Sequence, residues 1–167
     1  VNGVNWLGKN SAGSMNEGDG WRVEISPANE NTEDYFLNVM QVGDADGAEA
    51  LDAKLIETPT NAGAVIADRV VLFGKDRDRT SKDVSFSFDG EGSYEITVAD
   101  LKEGTWSVTK DGEKIADAIV TADGGIAVFN GGSGSYVLSR TGDNAARPEI
   151  TGTVKTNEGI DIKVNGK

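Results

Sequence analysis

The chain contains no cysteine and no histidine among its 167 residues. Disulfide bonds, thiolate nucleophiles and Ser-His or Cys-His pairs are therefore excluded. Nearly every zinc or copper site is excluded as well, because these metals take Cys and His ligands. The lack of cysteine does not by itself distinguish an oxidising from a reducing compartment. Any chemistry must come from carboxylates, amines, guanidinium groups, hydroxyls and aromatic rings.

Long apolar runs and proline are also scarce. No window of 18 consecutive apolar residues exists, so the sequence predicts no transmembrane helix. Only three prolines accompany 22 glycines, so we expect glycine to form most of the turns. The sequence opens on Val1 without a signal peptide, and we therefore expect a mature or excised segment of a longer protein.

The chain has few basic residues relative to acidic ones. With 16 basic and 28 acidic residues the formal net charge is −12, so the surface lacks the basic footprint that nucleic acid requires and repels anionic membranes. The same field repels polyanionic polysaccharides at long range. Salt screens charges beyond about 8–10 Å, so a local basic patch could still bind one. We expect neither nucleic acid nor a membrane as partner, and the charge balance favours neutral ligands.

Residues 34–42 form the stretch that is richest in aromatic and branched side chains. In an extended conformation both of its faces are apolar, and a strand of that kind is normally covered on both sides. A short buried helix would give the same pattern. Nine residues ended by Gly43 and Asp44 favour a strand, and the pattern predicts that it lies in the middle of a sheet.

Apolar and polar residues alternate with a period of two in several other segments, and turn signals recur every 8–12 residues. No segment keeps a 3.6-residue period for three turns. The pattern predicts an all-β fold with little helix, an antiparallel β-sandwich of jelly-roll or Ig-like type whose later strands form a meander. The predicted strands are residues 21–25, 62–67, 68–74, 84–88, 94–98, 105–109, 114–121, 126–129 and 136–139. Residues 62–67 and 68–74 are either a pair of buried strands or one bent strand, and residues 51–57 are ambiguous between strand and helical turn.

Composition changes after residue 140. Residues 141–147 are polar and precede Pro148, which is typical of a linker, and short apolar segments follow. We expect a β-sandwich module over residues 1–140. Residues 141–167 are predicted to form a linker with either an edge hairpin or the start of a following module.

Five segments together resemble a known family. They are Gly20-Trp-Arg-Val-Glu-Ile-Ser-Pro27, Asp34-Tyr-Phe-Leu-Asn-Val-Met-Gln-Val-Gly-Asp44, Asp68-Arg-Val-Val-Leu-Phe-Gly74, Asp100-Leu-Lys-Glu-Gly-Thr-Trp-Ser-Val108 and Gly134-Ser-Tyr-Val-Leu138. Over residues 1–140 the chain is similar to the C-terminal β-sandwich region of heparinase II/III-like polysaccharide lyases. The resemblance rests on packing motifs.

The resemblance implies an accessory, non-catalytic domain beside a separate helical catalytic domain of the same parent chain. The family's catalytic Tyr, His or Arg, and Asn belong mainly to that helical part, and no motif here matches them, so none can be assigned. Substrates of such lyases are anionic, which contrasts with the net charge of −12. The resemblance further implies a secreted, extracellular bacterial protein with polysaccharide and the catalytic domain as its partners.

Sugar-binding modules stack aromatic rings on pyranose faces, so the Trp and Tyr residues are the first candidates. Trp21 and Trp106 alternate with aliphatic residues and are predicted to lie in the core, whereas Tyr94 and Tyr136 begin strands and should keep only the hydroxyl at the rim. Trp6 lies in a polar, Gly- and Asn-rich segment. It could be a ligand platform or a staple that covers a strand end. Tyr35 is a further candidate for sugar binding.

The charged segment after residue 74 offers polar contacts. Asp76 to Arg79 alternates in sign, which is typical of an exposed, ion-paired hairpin tip. The alternative is an Arg-lined rim for a carboxylated or hydroxylated sugar, formed by Lys75, Arg77 and Arg79.

A weak calcium pattern begins at Asp44. Asp44 and Asp46 occupy the first two ligand positions of a calcium loop, but the later ligands are missing and the glycine is misplaced. A solvated turn would explain the same residues. We expect no cofactor, with calcium as the one candidate.

We therefore expect a non-catalytic carbohydrate-binding module of a secreted polysaccharide-degrading enzyme, binding glycan by aromatic stacking and polar contacts. The main alternative is a structural spacer that packs against a catalytic domain without binding a ligand. A calcium-dependent adhesion domain is a third hypothesis. No base, nucleophile or oxyanion-hole motif is present that would indicate an enzyme.

Overall fold

The computed structural model describes residues 24–43 and 49–143, together with the backbone of four short strands outside these ranges. It divides the chain into two units, residues 1–36 and 37–167. Trp6, Asp44 and Asp46 lie outside the described residues. Nowhere in the described ranges does a helix have the length and hydrophobicity needed to cross a bilayer.

The first unit contains one small antiparallel pair. Strand β1 (Val4–Asn5) pairs with β2 (Trp21–Arg22), and residues 24–36 contain neither helix nor strand. The strand predicted for residues 21–25 is therefore shorter than expected, since Ile25 lies outside any strand and is 57% exposed. Tyr35 and Phe36 are exposed too.

In the second unit, the residues that the structure describes form eleven strands in three sheets. The five-stranded sheet has the order β10-β7-β5-β4-β3, the four-stranded sheet the order β6-β11-β8-β9, and β12 pairs with β13. The strand bounds are β3 Ala53–Glu57, β4 Asn61–Ile66, β5 Arg69–Gly74, β6 Val84–Phe88, β7 Tyr94–Val98, β8 Gly104–Lys110, β9 Glu113–Val120, β10 Ala127–Gly131, β11 Gly134–Gly142, β12 Thr151–Lys155 and β13 Asp161–Asn165. The prediction of an all-β sandwich is confirmed, and the described residues contain no helix.

The predicted central strand at residues 34–42 is wrong. None of these residues lies in a strand, and Met40 and Val42 are 88% and 94% exposed. Apolar composition favours an extended chain, but a strand forms only where a neighbouring edge pairs its N–H and C=O groups. Here the segment is attached through a side chain: the Gln41 amide accepts from the Leu51 N–H at 2.7 Å and donates to the Leu51 carbonyl at 2.8 Å.

The predicted meander is also wrong, although most of its strands exist. Strand β10 pairs with β7 in the five-stranded sheet, while β9 and β11 flank β8 in the four-stranded sheet. Strands β6 and β7, which follow each other in the chain, lie in different sheets. A turn signal in the sequence shows where the chain reverses, but it does not show which sheet the next strand joins. Repeated crossing of the chain between the two sheets therefore cannot be predicted from local sequence. One neighbouring pair, β5 and β7, is parallel.

One hydrophobic cluster lies between the two larger sheets. Trp106 and Leu138 from the four-stranded sheet and Leu72 and Ile96 from the five-stranded sheet are 0% exposed, as the predicted core position of Trp106 requires. Tyr136 is stacked on Phe86 with ring centroids 5.2 Å apart, and its hydroxyl donates to the Gly132 carbonyl. Alternating inward residues of both sheets therefore form the core, as expected for a sandwich.

We expect replacing Trp106 with Ala to lower the free energy of unfolding by about 3–5 kcal/mol, because it removes the largest fully buried side chain and leaves a cavity. Urea denaturation measures the change. Ile119, 45% exposed on β9, is the control, and Ile119→Ala should cost less than about 1 kcal/mol. Equal losses for the two variants would contradict the assignment of Trp106 to the core.

The β8–β9 hairpin turns at Asp111 and Gly112. Both residues have positive φ, 52° and 87°, which is the conformation of a type I′ turn. The Asp111 Oδ1 atom accepts from the Ser135 N–H at 2.9 Å, so the turn is attached to the start of β11. This hydrogen bond lowers the pKa of Asp111 below its ordinary value, and the Lys110 ammonium lowers it further.

A lowered pKa in the folded state means that the Asp111 carboxylate stabilises the fold above its unfolded-state pKa, and that this stabilisation is lost as the pH falls through the folded-state pKa. Asp111→Asn should therefore melt at a lower temperature than the parent at pH 7, and the difference should shrink below about pH 4. Asn tolerates positive φ, so the turn itself is preserved. Thermal melts across this pH range test the expectation, and a pH-independent difference would contradict it.

Candidate functional site

Three connections meet at one end of the sandwich: residues 75–83, 99–103 and 121–126. Thr80 and Leu101 form a parallel bridge, and the Thr80 N–H donates to the Asp100 carbonyl while the Lys102 N–H donates to the Thr80 carbonyl, each at 2.8 Å. The Leu101 N–H donates to the Gly125 carbonyl at 2.9 Å. Because Leu101 is 0% exposed, this network joins all three connections to the core.

The connections and strand β11 enclose an open groove with a volume of about 660 Å³. It has three cationic and two anionic side chains, so its formal charge is positive in a chain of net charge −12. Its lining residues are Asp78, Arg79, Lys102, Glu103, Ala122 and Arg140.

Arg79 is held by main-chain oxygen atoms. Its Nη1 donates to the Ala122 carbonyl, and its Nη2 lies 3.4 Å from the Asp123 carbonyl oxygen. The guanidinium lies so close to Gly125 that a Cβ there would be 2.5 Å from it. Peptide carbonyls carry no net charge, so these contacts fix the guanidinium without neutralising it.

Arg140 is fixed in a similar way from strand β11. Its Nε and Nη2 donate to the Glu103 carbonyl at 2.8 and 2.6 Å, and its Nη1 pairs with Asp143 at 2.7 Å. The register between β11 and β8 shifts between Arg140 and Gly142, and bulges of this kind re-aim side chains. Asp143 is 89% exposed, so solvent screens this ion pair strongly.

Lys102 contributes the third positive charge. Its side chain has no ion-pair partner among the residues described, whereas its main chain is bonded on both sides. The Trp106 indole N–H donates to the Lys102 carbonyl at 2.9 Å, which ties this position to the most deeply buried ring of the core. The ammonium is therefore a free charge on a fixed backbone.

A smaller cavity of about 80 Å³ lies beside the groove and contains Asp76, Asp78, Asp83 and Asp100 in its lining. The Asp100 Oδ2 atom accepts from the Gly74 N–H at 3.0 Å, and Asp100 has a φ of 60°. Within residues 24–43 and 49–143, no three carboxylates are grouped closely enough to hold a metal ion.

Of the predicted site residues that the structure describes, Arg79 alone lines the groove. Lys75 pairs with Glu57 at 2.9 Å and donates to the Thr58 carbonyl at 2.8 Å, away from the groove lining. Arg77 is exposed in the same connection, which joins two sheets and is not the hairpin tip expected. Tyr35 is exposed in the first unit.

Among the residues that the structure describes, no aromatic ring contributes to the groove. Trp106, Tyr94 and Tyr136 are at most 7% exposed, as their periodicity predicts, and the groove lining contains no aromatic side chain. The predicted stacking of aromatic rings on a sugar therefore cannot come from these three residues.

Lys102 and Arg140 were missed by sequence reasoning. Lys102 lies in a segment considered only as a packing motif, Arg140 directly follows the strand predicted at residues 136–139, and the two are 38 positions apart in the chain. The one local signal is that each residue lies near the end of a predicted strand, where the connections of a sandwich come together. Nothing in the sequence shows that these two ends meet.

The described residues thus define an all-β sandwich domain with a basic surface groove at one end. The family model of the heparinase II C-terminal domain matches residues 55–140, which is 86 of the 167 residues. The chain belongs to this family, and the resemblance inferred from the sequence is confirmed for that range. A search of curated proteins finds no match for the chain.

Gly104 is expected to be essential for the geometry of the groove. It has a φ of 140°, and a Cβ there would lie 2.2 Å from the Gly142 carbonyl oxygen and 2.9 Å from Arg140 Nε. Gly104→Ala should lower the free energy of unfolding by about 2 kcal/mol or more, since it combines backbone strain with a clash. Urea denaturation measures this loss.

Gly112 provides the matched control. It also has positive φ, 87°, but a Cβ there would meet no atom within 4 Å. Gly112→Ala should therefore cost only about 1 kcal/mol, from backbone strain alone. If the two variants lost equal stability, close packing of Arg140 over Gly104 would be contradicted.

Proposed function

We propose that this domain is a non-catalytic accessory module of a secreted polysaccharide lyase and that it binds acidic polysaccharide in the groove formed by Arg79, Lys102 and Arg140. Membership in the heparinase II C-terminal family supports the accessory role. The observation that carries the binding proposal is that three cationic side chains line one groove on a strongly acidic chain.

The chemistry of the three cations suits carboxylate or sulfate groups on a sugar chain. Each arginine uses only part of its five N–H donors on main-chain carbonyls, which leaves donors for a ligand anion. Guanidinium groups match the two oxygens of a carboxylate in a bidentate geometry, and a lysine adds a mobile point charge. The groove could therefore accept a short stretch of a uronate-containing polysaccharide.

The expected affinity is modest. The groove is open, so salt and water screen its charges, and each exposed ion pair contributes about 0–1 kcal/mol. Neighbouring carboxylates of Asp78 and Glu103 reduce the local potential further. Such a module suits the role of holding substrate near an enzyme, where repeated weak contacts along a polymer add up.

Catalysis is assigned to the remainder of the parent enzyme. The groove is lined by neither tyrosine nor histidine, and its two arginines are engaged with main-chain carbonyls. An open groove also cannot exclude water from a reacting group, as active sites usually do.

Charge reversal at Lys102 tests the binding proposal. The 167-residue chain should be retarded in affinity gels that contain a uronate-rich polysaccharide at low salt. Lys102→Glu should weaken this binding about three- to ten-fold, because a free cation in the groove becomes an anion. Retardation should decrease as the salt concentration rises.

Lys54→Glu is the matched control, since Lys54 is exposed on β3 outside the groove lining and the change in net charge is identical. It should bind almost as well as the parent chain. Equal weakening by the two variants would indicate a general charge effect. Retardation by neutral polysaccharide alone would contradict the groove as the binding site.

A further inference from the structure

The two large sheets differ in their outer faces. Outward residues of the four-stranded sheet are mostly hydroxyl-bearing, as expected for a sheet with one face in water. They include Ser85, Ser87, Thr105, Ser107, Thr109, Ser135 and Ser139. Outward residues of the five-stranded sheet are mostly apolar, and the largest of those described are exposed.

The strand register aligns one apolar row across the whole five-stranded sheet. Leu55 lies opposite Ala64, Ala64 opposite Val71, Val71 opposite Thr97, and Thr97 opposite Val128. In the next row Ala62 lies opposite Phe73. We call Leu55, Ala62, Ala64, Val71, Phe73 and Val128 the apolar face.

The largest of these side chains are well exposed. Leu55, Phe73 and Val128 expose 66%, 44% and 51% of their surface. The charged residues that share this side of the sheet are paired, Arg69 with Glu95 and Glu57 with Lys75. The apolar face therefore lacks the free charges that would keep such a surface in water.

The pairing of strands within the five-stranded sheet also indicates that its outer face is normally covered. Strands β5 and β7 are parallel neighbours, and parallel strands are usually covered on both faces. Only the inner face is covered by the four-stranded sheet. The outer face thus has the composition of a buried sheet surface.

The size and charge of the apolar face limit what can cover it. Five strands spaced about 4.8 Å apart and about five residues long present roughly 400 Å², so docking would bury about 800 Å² in total. Stable complexes of separate proteins bury at least about 1,200 Å², whereas interfaces between domains of one chain begin near 600 Å². A second copy would also bring a second net charge of −12.

We propose that the apolar face docks against an apolar surface of a neighbouring domain in the same parent polypeptide. This inference rests on the accessory role in a parent enzyme and is independent of glycan binding. Covalent linkage supplies a high effective concentration, so a small interface suffices. The charged groove and the apolar face would then bind different partners.

Thiol accessibility in the parent enzyme tests the inference, with any cysteine outside this domain replaced by serine; the 167 residues themselves contain no cysteine, so each introduced thiol is a single probe. Val128→Cys should react with a maleimide at least ten-fold more slowly than Ile119→Cys. Val128 and Ile119 are 51% and 45% exposed, on the outer faces of the two sheets. Phe73→Cys is a second probe of the apolar face and should be protected as well. In 8 M urea all three should react at the same rate.

Each outcome has one meaning. Slow labelling at positions 128 and 73 that is unchanged by dilution supports docking within the chain. Labelling as fast as at position 119 overturns it, and so does protection that disappears on dilution, which would indicate a second copy. Loss of glycan binding in the Lys102→Glu variant leaves these rates unaffected, so the two proposals stand or fall separately.

Discussion

The packing of the two large sheets against each other is the interaction on which the other features depend. Side chains from both sheets meet in one cluster, in which Trp106 and Tyr136 are the largest fully buried members. The Trp106 indole N–H donates from this cluster to the Lys102 carbonyl, and the fully buried side chain of Leu101 fixes the same connection to the core. Burial of apolar surface thereby positions a polar groove, because the loops that form the groove begin at residues the core holds fixed.

The same packing gives the domain two distinct surfaces. At one end, main-chain carbonyls hold Arg79 and Arg140 in place, and Arg140 also pairs with the exposed carboxylate of Asp143. On the outer side of the five-stranded sheet, the strand register aligns apolar residues from Leu55 to Val128. A single sandwich can therefore present an electrostatic surface and a hydrophobic one.

Much of the fold followed from local patterns. The alternation in β6 and β7, the Asp111–Gly112 turn and the buried position of Trp106 could be predicted because they depend on periodicity and on the backbone conformation of a few residues. The strand expected at residues 34–42 could not be judged this way, because strand formation needs an edge to pair with. Of the groove only Arg79 was anticipated; Lys102 and Arg140 join it through contacts between distant segments.

By itself the sequence determined the strand-rich class, the acidic surface and the exclusion of thiol and imidazole chemistry, because these depend on which residues are present and on their spacing of two. Tertiary structure alone decided which strands share a sheet, where three positive charges meet, and which sheet face is left apolar. These features arise from pairing between residues far apart in the chain, and the energy of a pair depends on its geometry in space and not on neighbours in sequence.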